Sequence, residues 1–148
     1  MFSNKEELVE KKGLFGEALK NEFVSYLYRQ FVETIGKDEN SAAEYVKSII
    51  EKAVYQDIPN IFPIKHEDLL MRLLRIIAAH PGMITDYGAL ARELGINRMT
   101  IANYLFYLEE SFLLKKAYNF SRNMLTSEKK MKKLYLSTPS FFPALNKS

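Results

Sequence analysis

The run from Thr85 to Leu105 constrains this chain more than any other part of it. It specifies two short helices joined by one tight turn. Thr85 and Asp86 are good N-caps, because their side-chain oxygens accept amide protons of a first helical turn. Tyr87, Leu90, Ala91 and Leu94 then recur at helical spacing on one stripe. Gly95 follows at once, and glycine ends helices because it enters left-handed geometry without a Cβ clash. Ile96 is placed to plug the corner. Asn97 caps the next helix, whose inward positions are Ile101, Leu105 and Leu108, with Tyr104 beside them. Two capped helices around a glycine turn form the helix-turn-helix plan. The competing arrangement is a plain helical hairpin within a bundle. The helix-turn-helix presents one face outward and points to recognition rather than bond chemistry.

Periodicity predicts the rest. Phe15, Ala18, Leu19, Phe23, Tyr26 and Leu27 give an amphipathic helix from near Leu14 to near Val32, weakened at Gly13 and Gly16. Gly36 to Asn40 reads as a loop. Ser41-Ala42-Ala43-Glu44 is a capping-box pattern that opens a helix through Tyr45, Val46, Ile49, Ile50 and Ala53. Pro59 and Pro63 disfavour helical geometry one residue earlier, so Ile58 and Phe62 are expected to be extended. A helix with a wide apolar arc runs from about Glu67 to Ala79 and stops at His80-Pro81-Gly82. After the helix pair, Phe112 to Phe120 reads as a strand, Ser121 to Lys132 as the turn, and Lys133 to Ser137 as the returning strand. Three helices followed by a hairpin is the winged-helix order. The expected class is mainly α. A winged helix-turn-helix with a short β-hairpin wing occupies 63–138. A small lid-like helical subdomain at 1–62 precedes it, and a tail at 139–148 follows.

With 148 residues the chain suffices for one ordinary domain or two very small ones. It has no Cys, which excludes disulfides and thiolate metal sites and suits a cytoplasmic location. Arg72 and Arg75 break its longest apolar stretch, so no bilayer-spanning helix and no membrane partner are expected. The opening residues Met1 to Glu7 do not have the plan of a signal peptide. The net charge of +3 is unevenly spread. Up to Ile64 there are 8 Lys and Arg against 11 Asp and Glu, a net of −3; from Lys65 onward there are 13 against 7, a net of +6. Lys115, Lys116, Arg122, Lys129, Lys130, Lys132 and Lys133 make most of that excess, with only Glu128 among them. A basic cluster beside a helix-turn-helix is the electrostatic footprint of a nucleic-acid binder. The bland alternative is a solvated loop.

Catalytic constellations do not emerge. Asp57, next to Ile58-Pro59, reads as a cap or turn acceptor. His66 and His80 have no second donor at ligand spacing and suit the two ends of a helix. Glu109 and Glu110 diverge as helix neighbours. Ser137, Thr138 and Ser140 have no His to activate them. No catalytic residue, metal site or cofactor is expected, and the chain does not read as an enzyme.

Tyr55-Gln56-Asp57-Ile58-Pro59, the winged-helix segment and Lys133-Leu134-Tyr135-Leu136 resemble the C-terminal part of a family of AAA-type ATPases common in archaea and bacteria. The resemblance spans roughly Tyr26 to Phe141. It implies lid-like helices, then a winged helix, in a protein whose nucleotide-binding domain comes earlier and whose nuclease-like module comes later. The departures are specific. No Gly-x-x-x-x-Gly-Lys-Ser/Thr loop occurs, so no residue here provides a phosphate cradle for ATP. Gln30-Phe31-Val32-Glu33 stands where that family has Gly-Gly-Phe-Pro, and Thr138-Pro139-Ser140 where it often has Asp-Thr-Gly. The chain is expected to be a fragment or a shortened relative.

The 100° helical step places Met99, Asn103, Phe106 and Glu110 on the outward face of the second helix, flanked by Thr100, Tyr107 and Ala102. Two readings follow. In the first, the module binds double-stranded DNA: Arg98, Thr100 and Asn103 enter the major groove, and Lys115, Lys116, Lys129, Lys130, Lys132 and Lys133 hold phosphates. In the second, Met99, Phe106 and Tyr107 dock another copy of the chain or the ATPase and nuclease-like domains. Phe106 is alternatively covered by the N-terminal helices.

Overall fold

The computed structural model describes residues 5–118 and 132–146, with side chains from residue 16 onward. Helix α1 spans Lys5–Tyr28, so it ends before Val32. Residues Val32–Thr34 form a single tighter turn instead, held where the Thr34 hydroxyl donates to the Phe31 carbonyl at 2.6 Å. Helix α2 spans Glu39–Lys52. Its cap is Asp38, not Ser41. The Asp38 carboxylate accepts the Asn40 and Ser41 amides at 3.0 Å each, and Ser41 donates its hydroxyl to the same group at 2.6 Å. An ionised acceptor outcompetes a hydroxyl for the free amides of a first turn.

A π-helical turn, Ala53–Asp57, carries α2 into the short helix α3, Ile58–Ile61. Ile58 is therefore helical, at φ −63° and ψ −48°, and not extended. The wider turn explains the difference. Ile58 donates to the Ala53 carbonyl five residues back, and Pro59 falls in the first turn of α3, where its missing amide costs no helical bond. Phe62 is extended before Pro63, at φ −119° and ψ 149°, as expected.

Helix α4 spans Glu67–Ala79 and buries Leu69, Leu70, Leu73, Leu74 and Ile77. Strand β1 (Ile84–Thr85), helix α5 (Tyr87–Leu94) and helix α6 (Arg98–Glu110) follow. Strands β2 (Leu114–Ala117) and β3 (Lys132–Leu136) form a hairpin, and helix α7 spans Phe141–Asn146. Strand β2 begins two residues later than expected, with Phe112 outside it, and β3 lies one residue earlier than expected at the same length. The three strands form one antiparallel sheet in the order β1-β3-β2, with Ile84 opposite Lys133 and Lys116 opposite Leu134. Thr85 thus belongs to a strand, and Asp86 alone caps α5. Gly82, at φ +74°, carries the chain under Tyr135; a Cβ there would lie 3.0 Å from the ring.

One apolar core runs through the molecule. It joins Val46, Ile50, Val54 and Ile58 to Leu70, Leu74, Ile101, Leu105, Leu108, Leu114 and Leu134, and then to Phe141, Ala144 and Leu145. It crosses the boundary expected between residues 62 and 63. Within 139–148, expected to be a tail, Phe141–Asn146 form α7 and bury Phe141, Ala144 and Leu145 in this core. The segment after α1 is stitched to this helix. Ser140 Oγ accepts the Gln30 amide at 3.2 Å and donates to the Leu27 carbonyl at 3.3 Å, and Phe31 stacks on Phe141 with centroids 6.1 Å apart. The architecture is mainly helical with a small antiparallel sheet. Among the described residues no helix is long and apolar enough to cross a membrane.

Candidate functional site

The α5–α6 pair is built by local chemistry at three points. Asp86 Oδ1 accepts the Gly88 amide at 2.7 Å and the Ala89 amide at 3.3 Å, which together hold its carboxyl below the ordinary value. Gly95 adopts φ +68°, and the Ile96 amide reaches back to the Ala91 carbonyl at 2.9 Å. Asn97 Oδ1 accepts the Met99 amide at 2.7 Å and starts α6. The chain turns sharply at Gly95, and Ile101, Leu105 and Leu108 hold α6 to the core with no exposure.

The other side of α6 is open. Met99 is 66% and Phe106 46% exposed. Arg98, Asn103 and Glu110 are exposed, and Thr100, Ala102 and Tyr107 are half-buried. The segment Phe62–His66 lies along one flank. Tyr104 is buried, and its hydroxyl accepts the amides of Lys65 at 3.2 Å and His66 at 3.1 Å. Phe62 stacks on Tyr107 at 4.2 Å and meets Phe106 edge-on at 6.4 Å. Phe106 is thus partly covered by Phe62.

The β2–β3 hairpin lies along the other flank. Strand alternation sends Lys115 and Lys133 outward, where both are exposed. Lys116 falls on the opposite face of β2. Its Nζ lies 2.7 Å from Glu109 Oε2 and 5.9 Å from the Phe106 ring centroid, and its side chain is only 8% exposed. This corrects its expected role: the charge is committed to Glu109 and is not open to phosphate. Glu109 is neutralised by the same pairing. Lys132 lies 4.8 Å over the Tyr118 ring. Lys129, Lys130 and Arg122 lie outside the described residues.

Between Pro63–His66 and α6 is a cavity of about 440 Å3, lined by Lys65, His66, Asn97, Thr100, Asn103 and Tyr107 among others. Sequence reasoning missed this wall. The signal was Tyr104, an inward residue whose hydroxyl needs a polar partner when buried.

A model for a domain of unknown function, DUF8612, matches residues 31–148. The chain belongs to the DUF8612 family. No curated protein and no solved structure matches it. The DUF8612 segment holds α2 through α7, so it contains α6 and both of its flanks, whereas α1 precedes it.

Proposed function

We propose that this DUF8612 domain is a DNA-binding winged helix-turn-helix, with α5 and α6 as the helix pair and β2–β3 as the wing. The observation that carries the reading is the placement of exposed cations. Arg98, at the first position of α6, and Asn103, further along it, are both exposed, and Lys115 and Lys133 point outward from the adjacent hairpin. Asn103 suits an adenine edge and Arg98 a guanine edge, while Thr100 suits a phosphate. Lys115 and Lys133, together with Lys132, Lys129 and Lys130, supply the backbone contacts on which affinity depends. The order of three helices and a hairpin supports the same reading. Fluorescence anisotropy of a labelled duplex at low and moderate salt tests it. The expected result is weak binding that falls as salt rises and drops further in Lys115→Ala/Lys133→Ala. Absence of binding at low salt overturns it.

A second reading rests on the exposure of Met99 and Phe106. In it the open face of α6 docks protein, either another copy or the ATPase and nuclease-like domains that the sequence likeness implies. Tyr107 contributes only an edge, since one ring face is stacked on Phe62. Sedimentation over a concentration series tests the second-copy form. A dimer that Phe106→Asp dissociates supports it, and a monomer at every concentration excludes it.

A further inference from the structure

We propose that the cavity between Pro63–His66 and α6 is a subsite for one unpaired nucleotide. This rests on the nucleic-acid reading above and narrows it: α6 takes a base that has left a duplex or never belonged to one. At about 440 Å3 the cavity is of small-molecule size, within the range of about 300–1,000 Å3 that such sites occupy. Its walls have the two kinds of surface that a nucleotide requires. Pro63, Ile96, Tyr104 and Tyr107 are apolar or aromatic, and Asn97, Thr100 and Asn103 are polar. No carboxylate lines it, and the Lys65 ammonium does, so an anionic group meets an opposite charge there.

The polar residues match a base edge. Asn97 spends its Oδ1 on the α6 cap, which leaves its amide nitrogen as a donor. Asn103 is exposed and keeps both a donor and an acceptor, the pair that the N6–N7 edge of adenine demands. The opposite wall is fixed in advance, because the Tyr104 hydroxyl holds the Lys65 and His66 amides. That wall also limits access. Pro63–His66 stands beside Thr100 and Asn103 on that flank of α6 and leaves an opening into which a single base can enter edge-first.

The test is an amide-resonance titration of the whole chain with adenosine 5′-monophosphate, and in parallel with inorganic phosphate. Duplex binding is measured on the same samples. The expected result is movement of the Asn97, Thr100 and Asn103 resonances with the nucleotide and not with phosphate. Asn103→Ala, an exposed change that leaves the core intact, weakens the nucleotide by at least about 5-fold. Thr100→Tyr, which fills the cavity, abolishes the response. If the nucleotide moves nothing beyond what phosphate moves while the duplex still binds in a salt-dependent manner, the subsite is wrong and the DNA reading stands. If the nucleotide responds as expected and no duplex binds, the subsite stands and the duplex reading falls. If neither ligand binds, both fall.

Discussion

Glu109 holds Lys116 twice: Oε2 meets the ammonium at 2.7 Å, and Oε1 accepts the Lys116 backbone amide at 3.3 Å. This pair fastens the C-terminal end of α6 to β2, and so sets where the hairpin stands beside the open helix face. The Lys116 side chain is 8% exposed and that of Glu109 29%. Removing one partner strands a charge that water reaches poorly. Glu109→Ala should therefore destabilise the fold by about 1–3 kcal/mol, discounted from the fully buried case for the exposure of Glu109. Lys116→Met in the same chain should recover most of that loss, because an apolar pair leaves nothing unpaired. Denaturant midpoints of the two single variants and the double variant check it.

Tyr104 is the second fastening. Its hydroxyl is the side-chain acceptor for the amides of Lys65 and His66, and those residues form the far wall of the α6 cavity. Tyr104→Phe keeps the ring packing and removes the acceptor. The expected cost is about 1–2 kcal/mol, from two part-buried donors left to weaker partners. Amide hydrogen exchange should quicken at Lys65 and His66 and stay unchanged in α2. Unaltered exchange at both amides would mean that the segment is held by Phe62 stacking alone.

Features set by neighbouring residues are legible in the sequence. Helix α4 begins at Glu67 and ends before His80-Pro81-Gly82, as its apolar arc and stop signals indicate. Gly95 and Asn97 fix the turn because a left-handed residue and an Asn cap act within three or four positions. Features set by distant partners are not legible. Strand β1 has two residues, too few to carry a period, and exists because Ile84 and Thr85 pair with Lys133 and Lys132. Ile58 defies the rule for residues before proline because a π turn precedes it. Residues 141–146 are short and contain a proline, so their helix shows only through its burial of Phe141 and Leu145. The site divides along the same line. Met99 and Asn103 follow from the helical step, but the fate of Lys116 depends on strand parity, which places it with inward Leu114 and Leu134 rather than outward Lys115.

Asp86 gives the fold an acid-sensitive element. The Gly88 amide, and after it the Ala89 amide, hold its carboxyl below the usual 3.8. A carboxyl lowered on folding stabilises the native state fully above its unfolded value, and loses that contribution as pH falls through the folded value. Asp86→Asn keeps an accepting oxygen at the cap but does not titrate. The melting temperature of the natural chain should exceed that of Asp86→Asn at neutral pH by a gap that stays constant down to the unfolded value. Below it the gap should close. Asp86→Ala should be less stable than both at neutral pH, having no cap oxygen. A gap that persists at strongly acid pH would locate the difference elsewhere than in the ionised cap.

Phe112 ends α6 in an unusual way. It adopts φ +58°, a left-handed position that favours glycine, and the residue is 79% exposed. The backbone there is nonetheless well bonded: the Phe112 amide donates to Glu109 and the Leu113 amide to Leu108, both at 3.0 Å. The geometry is that of a helix C-terminus closed by glycine, with the wrong residue in the glycine position. For a residue with a Cβ this conformation costs about 1–2 kcal/mol, part of which glycine returns through its greater freedom in the unfolded chain. Phe112→Gly should therefore stabilise the fold by about 0.5–1 kcal/mol in urea unfolding. Phe112→Ala keeps the strain and should change stability little, since the exposed ring buries little surface. A gain confined to glycine assigns the effect to the backbone. A loss in both variants would instead show that the ring packs on the fold and stabilises it.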